Sequence, residues 1–289
     1  MAEFLKGKPV VEHMARDLAP RIDALKQAGI TPTLAIVRVG ERPDDLSYER
    51  TAHKRAESLD IAVRPYELDE LAPQGAIEAV LYEVNHDDAV HGCLLFRPLP
   101  AFVDEPRVCE LLNPKKDIDG ITLASLAAVF TDGHQGFPPA TAAACIELLD
   151  FYQVPLAGKH VVVVGRSLVV GKPVSMMLLR RNASVTMCHS KTENLADITR
   201  SADVVICATG RARAFGAEFF SPDQTVLDVG INFDTQGTLC GDVDFAEVES
   251  VVGAITPVPG GLGTVTTSVT MAHVVAAAEA ARAAHEGGQ

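Results

Sequence analysis

Residues 160–173 read His-Val-Val-Val-Val-Gly-Arg-Ser-Leu-Val-Val-Gly-Lys-Pro, and their types and spacing suit them to hold a charged ligand. Val161, Val162, Val163 and Val164 form an apolar run of the kind buried on both faces of a parallel sheet. Gly165, Arg166 and Ser167 follow as a tight turn, and a helix is predicted through Pro173, Met176, Met177 and Leu178. Strand, turn and helix N-terminus in that order make an anion site, because unpaired backbone N–H groups and the positive end of the helix dipole converge there. The spacing departs from the dinucleotide fingerprint G-x-G-x-x-G: Ser167 stands at the second glycine and Gly171 comes one residue late. An ordinary strand-to-helix turn fits the same residues, so the neighbouring elements carry weight. Residues 184–189 and 203–209 read as two further strands with a short helix over 194–200 between them, giving a β-α-β-α-β half of a doubly wound fold.

The end of the second of those strands bears on which dinucleotide would bind. An NAD site usually places Asp or Glu there, roughly 20 residues after the first glycine, to hold the ribose 2′-hydroxyl. This chain has Cys188, His189, Ser190, Lys191 and Thr192, with no acid. A hydroxyl and an ammonium, with Arg166 in the first turn, suit the 2′-phosphate of NADP, which a carboxylate would repel. Ser190 and Lys191 are also what a plain solvated loop would carry. NADP is the preferred cofactor.

The bulk numbers set the frame for these residues. A length of 289 residues is comfortable for two domains, and 47% hydrophobic with 22% charged residues describes a globular chain. The net charge of −13 argues against a broad nucleic-acid surface while leaving room for a local basic site. The six cysteines show no C-x-x-C spacing and sit mostly in apolar runs, as in a reduced, cytoplasmic protein. The nine histidines show no ligand spacing, so no metal is expected. The N-terminus has no signal-peptide hydrophobic region, and no apolar stretch reaches the ~20 residues that span a bilayer.

Upstream of the glycine turn, helical periodicity over residues 10–28 puts Val11, Met14, Leu18, Ile22 and Leu25 on one face. Strands are predicted at 33–39, 62–68 and 92–96, with helices at 47–59 and 75–84 between them, a first α/β unit with its own parallel sheet. Residues 114–120 form a polar turn carrying two acids, Asp117 and Asp119, and a helix over 141–152 connects the domains. Downstream come a strand from Thr225, a hairpin containing Gly237 and Gly241, and a Pro/Gly-rich loop at 256–263. A long apolar helix from 266 to 283 then returns to the first domain. The expected division is 1–145, completed by 266–289, and 146–265.

Six separated segments together resemble one family, the bifunctional methylenetetrahydrofolate dehydrogenase/cyclohydrolases. They are Gly165-Arg166-Ser167 with Val170-Gly171-Lys172-Pro173, His189-Ser190-Lys191-Thr192, Asp228-Val229-Gly230-Ile231-Asn232, Gly241-Asp242-Val243, Thr256-Pro257-Val258-Pro259-Gly260-Gly261 and Lys116-Asp117-Ile118-Asp119-Gly120. The resemblance implies two α/β domains with a folate cleft between them, a Rossmann-like doubly wound C-terminal domain that binds NADP, a tetrahydrofolate derivative as substrate, and a homodimer. Carried over residue by residue, it implies cofactor contacts from Gly165, Arg166, Ser167, Ser190 and Ile231. Asp119 would face the pterin, and Pro259, Gly260 and Gly261 would border the same cleft. Tyr48 matches the tyrosine of the family's active-site helix.

Two departures from that pattern concern the hydrolase half. Ala52 stands where the family has a lysine four residues after the tyrosine, and Phe96 stands where the strand ending Val-Gln-Leu-Pro-Leu-Pro has glutamine. Lys54 is six residues from Tyr48, about 240° around a helix, and replaces that lysine only if the helix is shifted or irregular. Arg55 falls near the Tyr48 face, but a guanidinium is a poor base. Ala140-Thr141-Ala142 in place of Cys-Thr-Pro, and Thr264 in place of proline, are milder changes. The expected activity is therefore NADP-dependent methylenetetrahydrofolate dehydrogenase with weak or absent cyclohydrolase. Alternatives are an NADP enzyme of another pterin or small substrate, and a non-catalytic NADP- or folate-binding protein.

Overall fold

The computed structural model describes residues 2–287, which divide into two compact units: 13–140 with 267–287, and 2–12 with 141–266. In the first unit a three-stranded parallel sheet runs in the order Ala62–Leu68, Thr33–Val39, Gly92–Leu95. The central strand is buried at all seven positions, and its side chains divide by period two between two apolar layers. Leu34 and Ile36 join a cluster with Leu18, Ile22, Phe96 and Met271. Ala35 and Val37 join another with Ile77, Leu81, Val84 and Leu95.

The helix Pro43–Ser58 starts where its sequence says it should. Arg42 is extended, Pro43 occupies the first turn, and Asp44 and Asp45 sit at the positive end of the dipole. Its buried residues, Asp45, Glu49, Ala52 and Ala56, recur at helical spacing and form one stripe. The turn carrying the two acids is fastened alongside the sheet by a parallel bridge between Cys93 and Asp117.

The second unit holds a six-stranded sheet ordered Glu3–Phe4, Ala254–Ile255, Thr225–Asp228, Val204–Cys207, His160–Val164, Ser184–Cys188, parallel throughout. Counted from His160–Val164, the five main strands take the order 2-1-3-4-5, a doubly wound arrangement in which the second and third strands flank the first. The doubly wound expectation holds, and an antiparallel pair, Asn232–Phe233 with Leu239–Cys240, forms the expected hairpin with Gly237 in its turn.

The domain division needs a correction at the N-terminus. Residues 2–12 belong with the dinucleotide-type sheet, because Glu3 and Phe4 pair with Ala254 and Ile255 and Leu5 N–H donates to the Ile255 carbonyl. A two-residue strand is too short to show a period. The other boundaries fall between Ala140 and Thr141 and between Thr266 and Thr267. Residues 1, 288 and 289 of the expected ranges lie outside the described residues.

Candidate active site

In the second unit, strand register pairs Val164 with both Cys188 and Cys207, and Cys207 with Asp228, so the four strands end level with one another. The segments that follow, 165–167, 189–192, 208–210 and 229–231, therefore stand along one edge of the sheet. Gly165 N–H reaches the Cys188 carbonyl at 2.9 Å, and Ala208 N–H reaches that of Val164 at 2.8 Å. Gly165 has φ +134°, and a Cβ there would lie 2.2 Å from the Ala208 carbonyl oxygen. A Cβ on Gly171 would lie 2.1 Å from the Gly165 carbonyl oxygen. The helix Gly171–Arg180 thus begins hard against the floor of the turn, and its N-cap, Val170, makes no side-chain cap bond.

A tight turn seated against a helix N-terminus is the kind of arrangement that can hold an anion. Arg166, Ser167, Ser190 and Lys191 are exposed, as are the apolar side chains of Leu168, Val169 and Ile231. Ile231 lies against Gly263, where a Cβ would be 3.3 Å from its Cδ1. The Pro259-Gly260-Gly261 loop is pinned by the N-terminal segment, with Gly7 N–H donating to the Gly260 carbonyl at 2.9 Å.

Two buried aspartates hold these loops together. Asp242 accepts the backbone N–H groups of Thr209, Gly210 and Arg211, the Thr209 hydroxyl and the Asn232 amide. Asp228 accepts from Gly230, Asp242 and Val243 N–H, while burial pushes its pKa up to about 7. Both residues stand within motifs of the sequence that by themselves assign them no role. The signal was there in part: an acid inside a Gly-rich loop is a means of pairing loop N–H groups.

The first unit gathers the other candidates. Of the two acids in the 114–120 turn, Asp117 is fully engaged, accepting from Ile121 and Thr122 N–H and from the hydroxyls of Thr122 and Ser125. Lys116 donates to the Val84 and Asp87 carbonyls, both at 2.7 Å, and so caps the helix Gln74–His86. Asp119 is half-buried, and its carboxyl is pushed up to about 7 by burial, with Arg97 opposing the shift and Asp117 adding to it. Tyr48 is also half-buried; its phenol rises to about 12 through burial and the Asp119 charge, while the Thr270 and Thr267 hydroxyls work the other way. The turn is steadied by His273, whose Nδ1 lies 2.8 Å from the Ile118 carbonyl and whose pKa burial lowers to about 4, so it donates there as a neutral ring. Sequence reasoning passed over Arg97 and His273 as site residues. Their sequence separation from Asp119 hides a proximity created by the Cys93–Asp117 bridge for Arg97 and by the last helix for His273.

Residues 5–119 match the catalytic domain of the tetrahydrofolate dehydrogenase/cyclohydrolases, and residues 139–282 match their NAD(P)-binding domain. The chain belongs to the tetrahydrofolate dehydrogenase/cyclohydrolase family. The bifunctional protein FolD of Carboxydothermus hydrogenoformans is 47% identical over 281 residues, covering 96% of this chain and 98% of that protein. Among solved structures, the bifunctional FolD of Campylobacter jejuni superposes with a TM-score of 0.93 at 34% identity, covering 96% of this chain and 99% of that one. The FolD of Trypanosoma brucei, solved with NADP cofactor and an inhibitor, has a TM-score of 0.91 at 30% identity, covering 96% and 97%.

Membership makes the departures in the helix Pro43–Ser58 sharper. The helix is continuous, so no irregularity brings Lys54 round to Tyr48. Lys54 is exposed and lines a surface depression with Glu49, Arg50, His53 and Glu67. Arg55 is half-buried and its pKa is lowered by burial, but it remains a guanidinium. On the Tyr48 face, Ala52 is 0% and Phe96 7% exposed, both inside the apolar cluster with Ile118 and Met271. Phe96 packs edge-on against Tyr48, ring centroids 5.7 Å apart.

Proposed function

We propose that the protein oxidises 5,10-methylenetetrahydrofolate to methenyltetrahydrofolate with NADP, and that its methenyltetrahydrofolate cyclohydrolase activity is weak or absent. The dehydrogenase half rests on family membership together with a glycine cradle whose rim carries Arg166, Ser190 and Lys191 and no acid. Bound NADP would supply the hydride acceptor. The chain would hold it through Gly165, Arg166, Ser167, Ser190 and Ile231, and the folate through Tyr48, Asp119, Pro259, Gly260 and Gly261. The oxidation leaves a resonance-stabilised amidinium and needs no proton transfer from the protein. Positioning supplies much of its rate, on the order of 7–11 kcal/mol in favourable cases, and a carboxylate at Asp119 stabilises the cation.

The observation that carries the hydrolase half is the apolar wall made by Ala52 and Phe96 beside Tyr48. Hydrolysis requires water to lose a proton as it attacks and a ring nitrogen to gain one as it leaves, and a positioned acid-base group contributes about 10² to 10⁴ in rate. With its phenol raised to about 12, Tyr48 stays protonated at neutral pH and can donate a hydrogen bond without serving as a base. Purified protein given methylenetetrahydrofolate and NADP should form NADPH and methenyltetrahydrofolate in step, with the latter decaying no faster than it does without enzyme. Hydrolase turnover comparable with NADPH formation would refute the proposal. The reading also includes a homodimer, carried by the family resemblance, and a cytoplasmic location, carried by cysteines that show no C-x-x-C spacing and sit mostly in apolar runs, as in a reduced protein; no described helix is long and apolar enough to cross a membrane.

Cofactor choice gives a second check. Replacing Arg166 and Lys191 together by glutamine should weaken NADP by roughly 10-fold or more, since charge-assisted bonds to phosphate are worth ~1.5–3 kcal/mol each. NAD kinetics should change little. Equal losses with both cofactors would remove these residues from 2′-phosphate recognition.

A further inference from the structure

Arg97 is a half-buried cation that neither the motif pattern nor the cofactor site explains. It directly follows Phe96, which packs on Tyr48 and shares its apolar cluster with Ile118, the residue before Asp119. The parallel Cys93–Asp117 bridge fastens the acid turn to the strand Gly92–Leu95, so the two segments leave it in the same direction. Asp119 follows the bridge by two residues and Arg97 by four, and the guanidinium charge lowers the pKa of that carboxyl against its burial. Glu105 holds the arginine's loop in place: its Oε2 accepts Leu99 N–H at 2.6 Å, and its Oε1 lies 3.8 Å from Arg97 Nη1. Among the described residues, the other groups that bear on Asp119 offer no positive charge. Asp117 is an acid of the same turn, Tyr48 on the neighbouring helix is a neutral phenol, and the last helix brings the Thr267 and Thr270 hydroxyls to Tyr48 and neutral His273 to Ile118.

We infer that Arg97 is a positioning residue for the oxidation, holding Asp119 as a carboxylate so that the positive charge created on the folate meets an anion and not a neutral acid. The inference rests on the proposed dehydrogenase reading. In the step itself the methylene C–H bond breaks, its electron pair and hydrogen pass to the oxidised nicotinamide, and a C=N⁺ bond forms from the nitrogen lone pair. Asp119 exchanges no proton, so its charge state before the step decides how much it contributes. Burial by itself favours the neutral form, and Arg97 is the group that opposes burial.

The test is the pH dependence of kcat for wild type, Arg97→Met and Arg97→Lys between about pH 5.5 and 9.5, with saturating substrates. Wild-type kcat should rise through the midpoint that Asp119 has in the ternary complex, and kcat/KM through its free-enzyme midpoint, about 7. In Arg97→Met that midpoint should move upward by about one unit or more, leaving kcat roughly tenfold lower on the acid side and converging with wild type at high pH. Arg97→Lys should keep the wild-type midpoint. A uniform fall in kcat at every pH, with the midpoint unmoved, would assign Arg97 to packing alone and overturn the inference. A titration of ¹³C-labelled aspartate carboxyls by NMR, with the Asp119 signal identified by its loss in Asp119→Asn, gives a readout independent of turnover. An Asp119 midpoint that does not move in Arg97→Met would overturn the coupling even if kcat falls. A wild type that forms no NADPH would instead overturn the dehydrogenase reading, and the role with it, while the NMR titration still decides the coupling.

Discussion

A variant carrying both Ala52→Lys and Phe96→Gln is expected to gain cyclohydrolase activity by a factor on the order of 10² to 10⁴, the range a positioned acid-base group supplies. Position 52 is four residues from Tyr48, about 40° around a regular helix, so a lysine there lies on the tyrosine's face. It would also enter a site that is now 0% exposed, among Ala56, Ile118 and Met271. An ammonium in that cluster is surrounded mainly by apolar side chains, so Ala52→Lys alone should destabilise the first unit, with the lysine driven toward its neutral form. Phe96→Gln removes a ring from the same wall and replaces it with an amide that can bond the new amine. The gain should therefore be strongly non-additive: negligible in either single variant and present in the double. Stopped-flow loss of methenyltetrahydrofolate, corrected for its spontaneous hydrolysis, measures it. Equal hydrolase activity in wild type and double variant would mean that the reaction does not depend on this pair. Thermal melts of all four proteins separate lost chemistry from lost folding.

The sequence made much of this site legible because its signals were local. The four valines before Gly165 and the alternation of strand and helix along both halves depend on neighbours a few residues away, and those elements occur within a few residues of the expected bounds. The seating of Ala52 was also readable, since a regular helix fixes which residues share a face. What escaped came from long-range pairing. Glu3 and Phe4 are a strand only because Ala254 and Ile255 lie beside them, 251 positions away along the chain. Asp242 serves the loop that begins at residue 208 and the hairpin residue Asn232, and nothing in its own surroundings identifies those partners. Arg97 looks like an ordinary loop cation until the Cys93–Asp117 bridge places its segment beside Asp119. The separate roles of Asp117 and Asp119 were equally hidden, because they depend on which carboxylate the Thr122 and Ser125 hydroxyls reach.

Gly171→Ala is expected to abolish cofactor binding, whereas Gly158→Ala should leave it intact. At Gly171 an added Cβ would sit 2.1 Å from the Gly165 carbonyl oxygen, 2.5 Å from its carbon and 2.9 Å from Arg166 N, all backbone atoms that cannot swing aside. Relief requires the helix Gly171–Arg180 to move away from the turn or the turn to open, and either change separates Gly165, Arg166 and Ser167 from the helix N-terminus. Overpacking of this kind costs about 1–3 kcal/mol, occasionally more, and here the distortion falls on the anion cradle itself. Gly165→Ala meets the Ala208 carbonyl oxygen at 2.2 Å, at φ +134°, and should behave alike. Gly158 is the control: it has φ +75° with nothing within 4 Å of an added Cβ, so alanine there should cost only the ~1–2 kcal/mol of a left-handed residue. Fluorescence titration with NADPH and thermal melts with and without it distinguish the cases. Gly158→Ala should melt somewhat lower yet keep its NADPH-induced rise in Tm, because that rise depends on the ratio of ligand concentration to Kd. Gly171→Ala should lose the rise altogether. If Gly171→Ala bound NADPH as wild type does, the close contact between turn and helix would not be what shapes the cradle, and the late place of Gly171 in this unusual spacing would need another cause.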